Sequence, residues 1–156
     1  MHIRLIAVSD RQPPWVDDAF DEYAKRLPGH WRFRLDTVGT SSRAGSKTPE
    51  RAVEAEGGKV LRQLKASEKL LLLDETGRQW TSGELARHLE EWQKAGRDLA
   101  FVIGGPDGVS AECAERADCR LSLSRLTLPH GLARVLLAEQ LYRAWTLLEG
   151  HPYHRG

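Results

Sequence analysis

A narrow polar seam runs along a largely apolar stretch near the end of the chain. Glu139, Arg143 and Thr146 stand at i, i+4 and i+7 and so share one helix face. Glu139 four residues ahead of Arg143 is the favourable order for a helical ion pair. On an exposed helix such a pair only trims a solvated edge. Here it is flanked by Leu132, Val135, Leu136, Leu137, Leu141, Tyr142, Trp145 and Leu148, apolar nearly all the way round, which argues burial on more than one side and a second partner surface. A carboxylate and a guanidinium held together there offer a proton acceptor and a fixed positive charge, so the pair is a candidate site.

A second candidate lies in the loops that follow apolar runs. The run LAFVI at 99–103 passes straight into GGPDG at 104–108. That loop has neither the Gly-Lys-Ser/Thr of a phosphate-binding loop nor the GxGxxG of a dinucleotide fold, and alone it reads as a tight turn. Two further loops follow strand-like runs, 74–77 after KLLLLD and 124–128 after the short run 121–123. In parallel sheets ligands sit beyond the carboxyl ends of strands, and three such loops in one fold favour a ligand site. The 124–127 loop, rich in hydroxyls, breaks at Pro129 before a helix without Pro or Gly over 132–149. Such a strand-loop-helix unit can present free backbone N–H groups. The segment GTSSRAGSK at 39–47 is small, polar and basic, and with Arg32, Arg34 and Arg51 it is the best local patch for phosphate. By composition alone a solvated loop explains it as well.

The elements that must position these groups alternate between strand and helix. Residues 2–9 form a short apolar strand, Pro13-Pro14 punctuates, and Trp15, Val16, Ala19, Phe20, Tyr23, Ala24 and Leu27 recur at helical spacing until Pro28-Gly29. Residues 31–38 alternate as a half-exposed strand near an edge. Thr48-Pro49 starts a helix carried by Val53, Val60, Leu61 and Leu64 and weakened by Gly57-Gly58. The continuous apolar runs 69–74 and 99–103 read as central parallel strands. Thr81 with Glu84 makes a capping box, and Gly96 ends that helix. Ser110 caps a short helix through about Ala117. The expectation is a single α/β domain over 1–156, with a mostly parallel sheet and helices on both faces.

Composition narrows the function classes. A chain of 156 residues, 40% hydrophobic and 29% charged, suits one domain with a real core. A net charge of +1 gives no global pull towards nucleic acid, so RNA contact must come from local patches. No apolar run approaches a membrane span and MHIRLIAVSD lacks a signal-peptide pattern, which points to the cytoplasm. Cys113 and Cys119 are too few for a disulfide framework and lack CxxC spacing, so they read as plain thiols.

The motifs IGGPDG, LSRLTLPH, EQLYRAW and HPYHRG, with WVDDAFDEY near the start, resemble the ribosomal RNA large-subunit methyltransferase H family of SPOUT enzymes across essentially the whole chain. The resemblance implies an α/β fold whose C-terminal segment threads a deep trefoil knot, an exception to the rule against threaded chains. It implies a homodimer that transfers a methyl group from S-adenosylmethionine to N3 of a pseudouridine in 23S rRNA. The implied cofactor site is Leu73, Gly104, Leu123, Ser124, Arg125, Leu126, Thr127 and Leu128, which fall on the three strand-end loops.

For the reaction, Arg143 is expected to stabilise the developing imidate oxygen, with His130, Glu139 and His154 as candidate general bases. The tail residues Tyr153, His154 and Arg155 combine groups suited to stacking on a base and meeting phosphate, and are expected to grip the nucleotide. His151 and His154 lack further ligands at metal spacing, so no metal is expected. With balanced charge and no appended RNA-binding domain, the expected substrate is the folded 70S ribosome. Two alternatives stay open, a SPOUT enzyme acting on tRNA and a noncatalytic ribosome-binding factor.

Overall fold

The computed structural model describes residues 1–41 and 48–155. Most of the basic segment expected at 39–47 therefore lies outside the described residues. Strand β1 (Ile3–Val8) is followed by helix α1 (Pro14–Ala24), β2 (Arg34–Val38), α2 (Pro49–Gln63), β3 (Glu68–Gln79), α3 (Ser82–Lys94), β4 (Asp98–Ile103), α4 (Ala111–Arg116), β5 (Cys119–Ser122) and α5 (His130–Glu149). Short 3-10 turns occupy Gly29–Trp31 and Pro152–Arg155. The five strands form one sheet in the order β2-β1-β4-β3-β5, and all four pairings are parallel.

Apolar runs buried on both faces make the three inner strands. Ile3, Leu5, Leu71, Leu99 and Phe101 face a core shared with α1, α3 and α5, while Ile6, Leu70, Leu72, Ala100 and Val102 pack with Val60 of α2 and Cys113 of α4. Local signals set the helix starts. Thr48 and Ser110 each accept a backbone hydrogen bond as N-cap, and Thr81 and Glu84 form the reciprocal capping box. At the amino ends of the strands the Arg4 guanidinium donates to Glu68 at 2.8 and 2.5 Å, to Asp36 at 3.2 Å and to the Gln63 carbonyl at 2.6 Å. Arg4 and Glu68 are both buried, so each is the other's principal compensation for lost water.

Several boundaries differ from the sequence reading for physical reasons. The helix expected to reach Leu27 stops at Ala24, and Leu27 is buried from the turn beyond it. Pro14 lies inside that helix, at a first-turn position where a missing N–H costs nothing. The strand expected from Trp31 begins at Arg34, because Arg32 adopts a left-handed φ of 47° that turns the chain. Trp31 is instead fully buried, and its indole Nε1 donates to Gln93 Oε1 at 3.1 Å. The segment 74–77 is not a loop. It continues β3 across a register shift between Leu73 and Arg78, where the edge strand β5 pairs on both sides of the irregularity. Gly77 is required there, since a Cβ would lie 2.7 Å from the Arg120 backbone. Helix α5 starts at His130, so Gly131 is helical, and a Cβ on it would stand 2.7 Å from Val16 of α1.

The adjacent glycines of α2 have opposite meanings. A Cβ on Gly57 would sit 2.1 Å from Ser110 Oγ, the N-cap of α4, whereas one on Gly58 meets only the mobile end of Arg62 at 3.3 Å. Gly57→Ala should destabilise the protein by about 1–3 kcal/mol through overpacking. Gly58→Ala should stabilise it by up to about 1 kcal/mol through helix propensity. Urea denaturation of the two variants checks the pair, and the same sign for both would contradict this packing.

Candidate functional site

A cleft of about 840 Å³ opens at the carboxyl ends of the strands. Its volume falls in the range of small-molecule sites. Leu73 at the β3 bulge, Gly104 after β4, and Leu123, Ser124, Leu126, Thr127 and Leu128 after β5 all line it. Seven of the eight residues expected to bind cofactor are thus brought together, and Arg125, exposed to solvent, is not among the lining residues. Leu126 stands 76% exposed at the rim. An Ser124 side-chain oxygen accepts from the Leu126 N–H at 2.9 Å, and Thr127 donates to Glu75 at 2.8 Å, so the last loop is tied to itself and to the bulge.

The glycine loop owes its composition to its own packing. A Cβ on Gly104 would lie 2.6 Å from Val109 and 2.9 Å from the Gly108 carbonyl, and Gly108 takes a φ of 88°. Sequence reasoning left out one wall of the cleft, built by Ser9, Asp10 and Gln12 after β1 and by Thr40 after β2. Thr40 donates to Asp10 at 2.6 Å and Gln12 donates to Ser9 at 2.8 Å, which fixes that wall. The signal available was position, because β1 is a buried parallel strand and its carboxyl end carries Ser9 and Asp10. Acidic groups dominate the lining, with Asp10, Asp74, Glu75 and Asp107 against the cation of Arg120. A cationic ligand of nucleoside size would match this charge and these apolar walls.

His130 lines the cleft from the first turn of α5. Burial first, then the adjacent Arg134 charge, push its pKa down to about 4, opposed by its hydrogen bond to the Gly104 backbone. The Arg134 guanidinium, which is 3% exposed, lies 3.0 Å from His130 Nε2 and 3.9 Å from Asp17. Burial lowers the arginine's own pKa.

Arg143 and Glu139 form a second cluster that does not line the cleft. Arg143 donates to Glu139 at 2.9 and 2.7 Å, which raises the arginine's pKa, and its guanidinium lies 5.2 Å from the Tyr153 ring centroid. Tyr153 donates to Glu139 at 3.2 Å. Thr146, expected on the same polar face, is fully buried and donates back to the Arg143 carbonyl at 2.6 Å. His154 is half-buried with no hydrogen-bond partner for Nδ1, and Arg155 is exposed. Among the described residues no group of three or more His, Cys, Asp or Glu could hold a metal ion. No described helix is long and apolar enough to cross a membrane.

Burial, then the Glu139 charge and the nearby Tyr23, push the Tyr153 phenol up to about 12. Since the folded value exceeds the ordinary one of about 10, this group stabilises the fold below pH ~10, and the contribution disappears as pH rises towards ~12. Ultraviolet titration should show a phenolate step near pH 12 that Tyr153→Phe lacks. A variant spectrum identical to that of the parent would contradict the assignment.

Comparison with known proteins places this architecture. A family model described as "Predicted SPOUT methyltransferase" matches residues 1–154. The ribosomal RNA large subunit methyltransferase H of Laribacter hongkongensis (strain HLHK9) is 49% identical over 155 residues, which cover 99% of each chain. The proteins of the same name from Burkholderia thailandensis and Burkholderia mallei (strain SAVP1) are each 47% identical over 155 residues, again covering 99% of each chain. A parallel sheet with a ligand-sized cleft at its carboxyl rim and a match along nearly its whole length together make this chain a member of the SPOUT methyltransferase family.

Proposed function

We propose that this chain transfers a methyl group from S-adenosylmethionine to N3 of a pseudouridine in 23S rRNA of the assembled ribosome. It acts in the cytoplasm as a homodimer of single-domain subunits. The observation that carries the donor assignment is the convergence of Leu73, Gly104, Leu123, Ser124, Leu126, Thr127 and Leu128 on one cleft with an acidic lining. Leucines suit the faces of adenine, strand-end backbone groups suit its edge, and the carboxylates suit a sulfonium cation and ribose hydroxyls. Arg125 belongs to the same loop and is assigned to its outer face. The names of the relatives support large-subunit rRNA as acceptor. The reading includes the knotted C-terminal segment of the family, which would hold the 123–128 loop rigid.

Bound there, the donor supplies an electrophilic methyl carbon and leaves as a neutral thioether that needs no acid. The N3–H of the acceptor loses its proton, and the nitrogen pair forms the new N–C bond as the C–S bond breaks. Arg143, held by Glu139, stabilises the negative charge that gathers on the adjacent imide oxygen. Of the three candidate bases, Glu139 is engaged by Arg143 and Tyr153, and His130 by Arg134 and Gly104. His154 is engaged by neither pair, and since its Nδ1 is buried the proton is assigned to its other ring nitrogen, Nε2, while Tyr153 and Arg155 grip the nucleotide. Arg143 lies thirteen residues beyond His130 on α5, about 20 Å along the axis at 1.5 Å per residue. One chain therefore keeps the cluster away from its own cleft. Antiparallel pairing of two α5 helices about a two-fold axis would bring each cluster to the partner's cleft.

Calorimetry should detect S-adenosylmethionine binding, and methylation should be far faster on 70S particles than on protein-free 23S rRNA, with the mark located by mass mapping. Absence of donor binding sinks the donor assignment, and equal rates on the two RNAs sink the ribosome requirement. Arg143→Ala should lower turnover by about 10²–10³. Mixing that variant with the cleft-blocked Gly104→Val, after subunit exchange, should restore activity, because hybrid dimers hold one intact site. No recovery would place Arg143 with its own chain's cleft.

A further inference from the structure

We infer that His130 is a positioning residue of the donor site, clamped between the Gly104 carbonyl and the Arg134 guanidinium so that it fixes the glycine loop to the first turn of α5 and takes no proton from the acceptor. The inference rests on the cleft being the donor site.

The partners assign the tautomer. A guanidinium has only N–H donors, so His130 Nε2, at 3.0 Å from Arg134, must offer its lone pair. The ring proton then resides on Nδ1, where it is donated to the Gly104 carbonyl. Both nitrogens are occupied, and neither is open to an incoming N3–H.

Arg134 explains why this arrangement is held. Its side chain is buried, its Nε has no hydrogen-bond partner, and its nearest carboxylate, on Asp17, is 3.9 Å away. The imidazole lone pair is the closest acceptor this cation has, and removing it would leave a buried charge poorly compensated. Protonating the ring instead would set two cations side by side in a dry place, which accounts for the depressed pKa of about 4. Besides Arg134 and Asp17, the charged groups sharing the cleft wall are Asp10, Asp74, Glu75, Asp107 and Arg120.

The mechanical consequence follows from spacing. His130 and Arg134 are one turn apart on α5, and Gly104 opens the loop closed by the Gly108 N–H to Gly105 carbonyl bond at 3.1 Å. The clamp therefore joins the loop after β4 to the helix after β5.

Long-range proton–nitrogen NMR on the full-length protein tests the clamp directly. His130 should be a neutral Nδ1–H tautomer at pH 6 and should not titrate until well below that. An Nε2–H tautomer, or a midpoint near the ordinary histidine value, would overturn the inference. In calorimetry, His130→Ala should weaken S-adenosylmethionine binding by about tenfold, the worth of one buried hydrogen bond. His130→Asn, whose amide can donate to Gly104 from the Nδ1 position, should recover most of that loss and keep the acid limb of the parent pH–rate profile. If His130→Asn instead binds the donor normally but turns over about a hundredfold more slowly, the ring is a base and the clamp reading fails. If the parent protein does not bind S-adenosylmethionine, the donor site itself is refuted, and the tautomer measurement still decides the clamp.

Discussion

Parallel pairing is the constraint on which the site depends. Each strand of β2-β1-β4-β3-β5 must be re-entered from the same end, so the helices carry the crossovers and all carboxyl ends share one rim. Within the sheet the ladders occupy the inner strands' peptide groups, and the backbone groups left to read a ligand are those just past the strand ends. The cleft lies on that rim, lined by the segments just past the strand ends. The bulge in β3 adds to this, lifting Asp74 and Glu75 to the rim while the strand goes on pairing with β5.

Helix α5 connects the two chemically loaded regions. Its first turn touches the glycine loop through His130, and its middle carries Glu139 and Arg143 with Tyr153 folded back on them. α1 and α3 flank it, with Gly131 pressed against Val16 and Ser82 donating to Gln140 at 2.6 Å. A helix so held transmits displacement as a rigid body, so the glycine loop and the arginine cluster cannot drift independently.

Features set by near neighbours in sequence were legible without coordinates. Thr48, Thr81 and Ser110 behaved as caps because a cap is a contact over three residues. The edge position of β2 and the burial of β1, β3 and β4 followed from their hydrophobic patterns. What escaped was decided by distant partners. DETG reads as a loop, yet β3 carries it as a bulge, with the pairing to β5 resuming at Arg78. Arg32 bears no mark of its left-handed backbone, Gly57 looks like a helix weakener until Ser110 is found against it, and Gly131 falls before the expected helix until Val16 is found against it. Seven residues of the cleft lining were named by resemblance, whereas the wall of Asp10 and Thr40 arises from a contact thirty residues apart in sequence. Arg134, one of several charges on a largely apolar helix, gave no hint that it would be buried.

The opposite pole of the sheet tells how this chain can change over time. Arg4 and Glu68 are shut away from water together, sixty-four residues apart; removing Arg4 would strip Glu68 of its cation, and removing Glu68 would leave Arg4 with only Asp36 and the Gln63 carbonyl. An apolar pair of matching volume could replace both at once at little cost. Joint exchange is therefore the least costly route for drift at these two positions, and a descendant retaining only one of the two ions would fold less well than its parent.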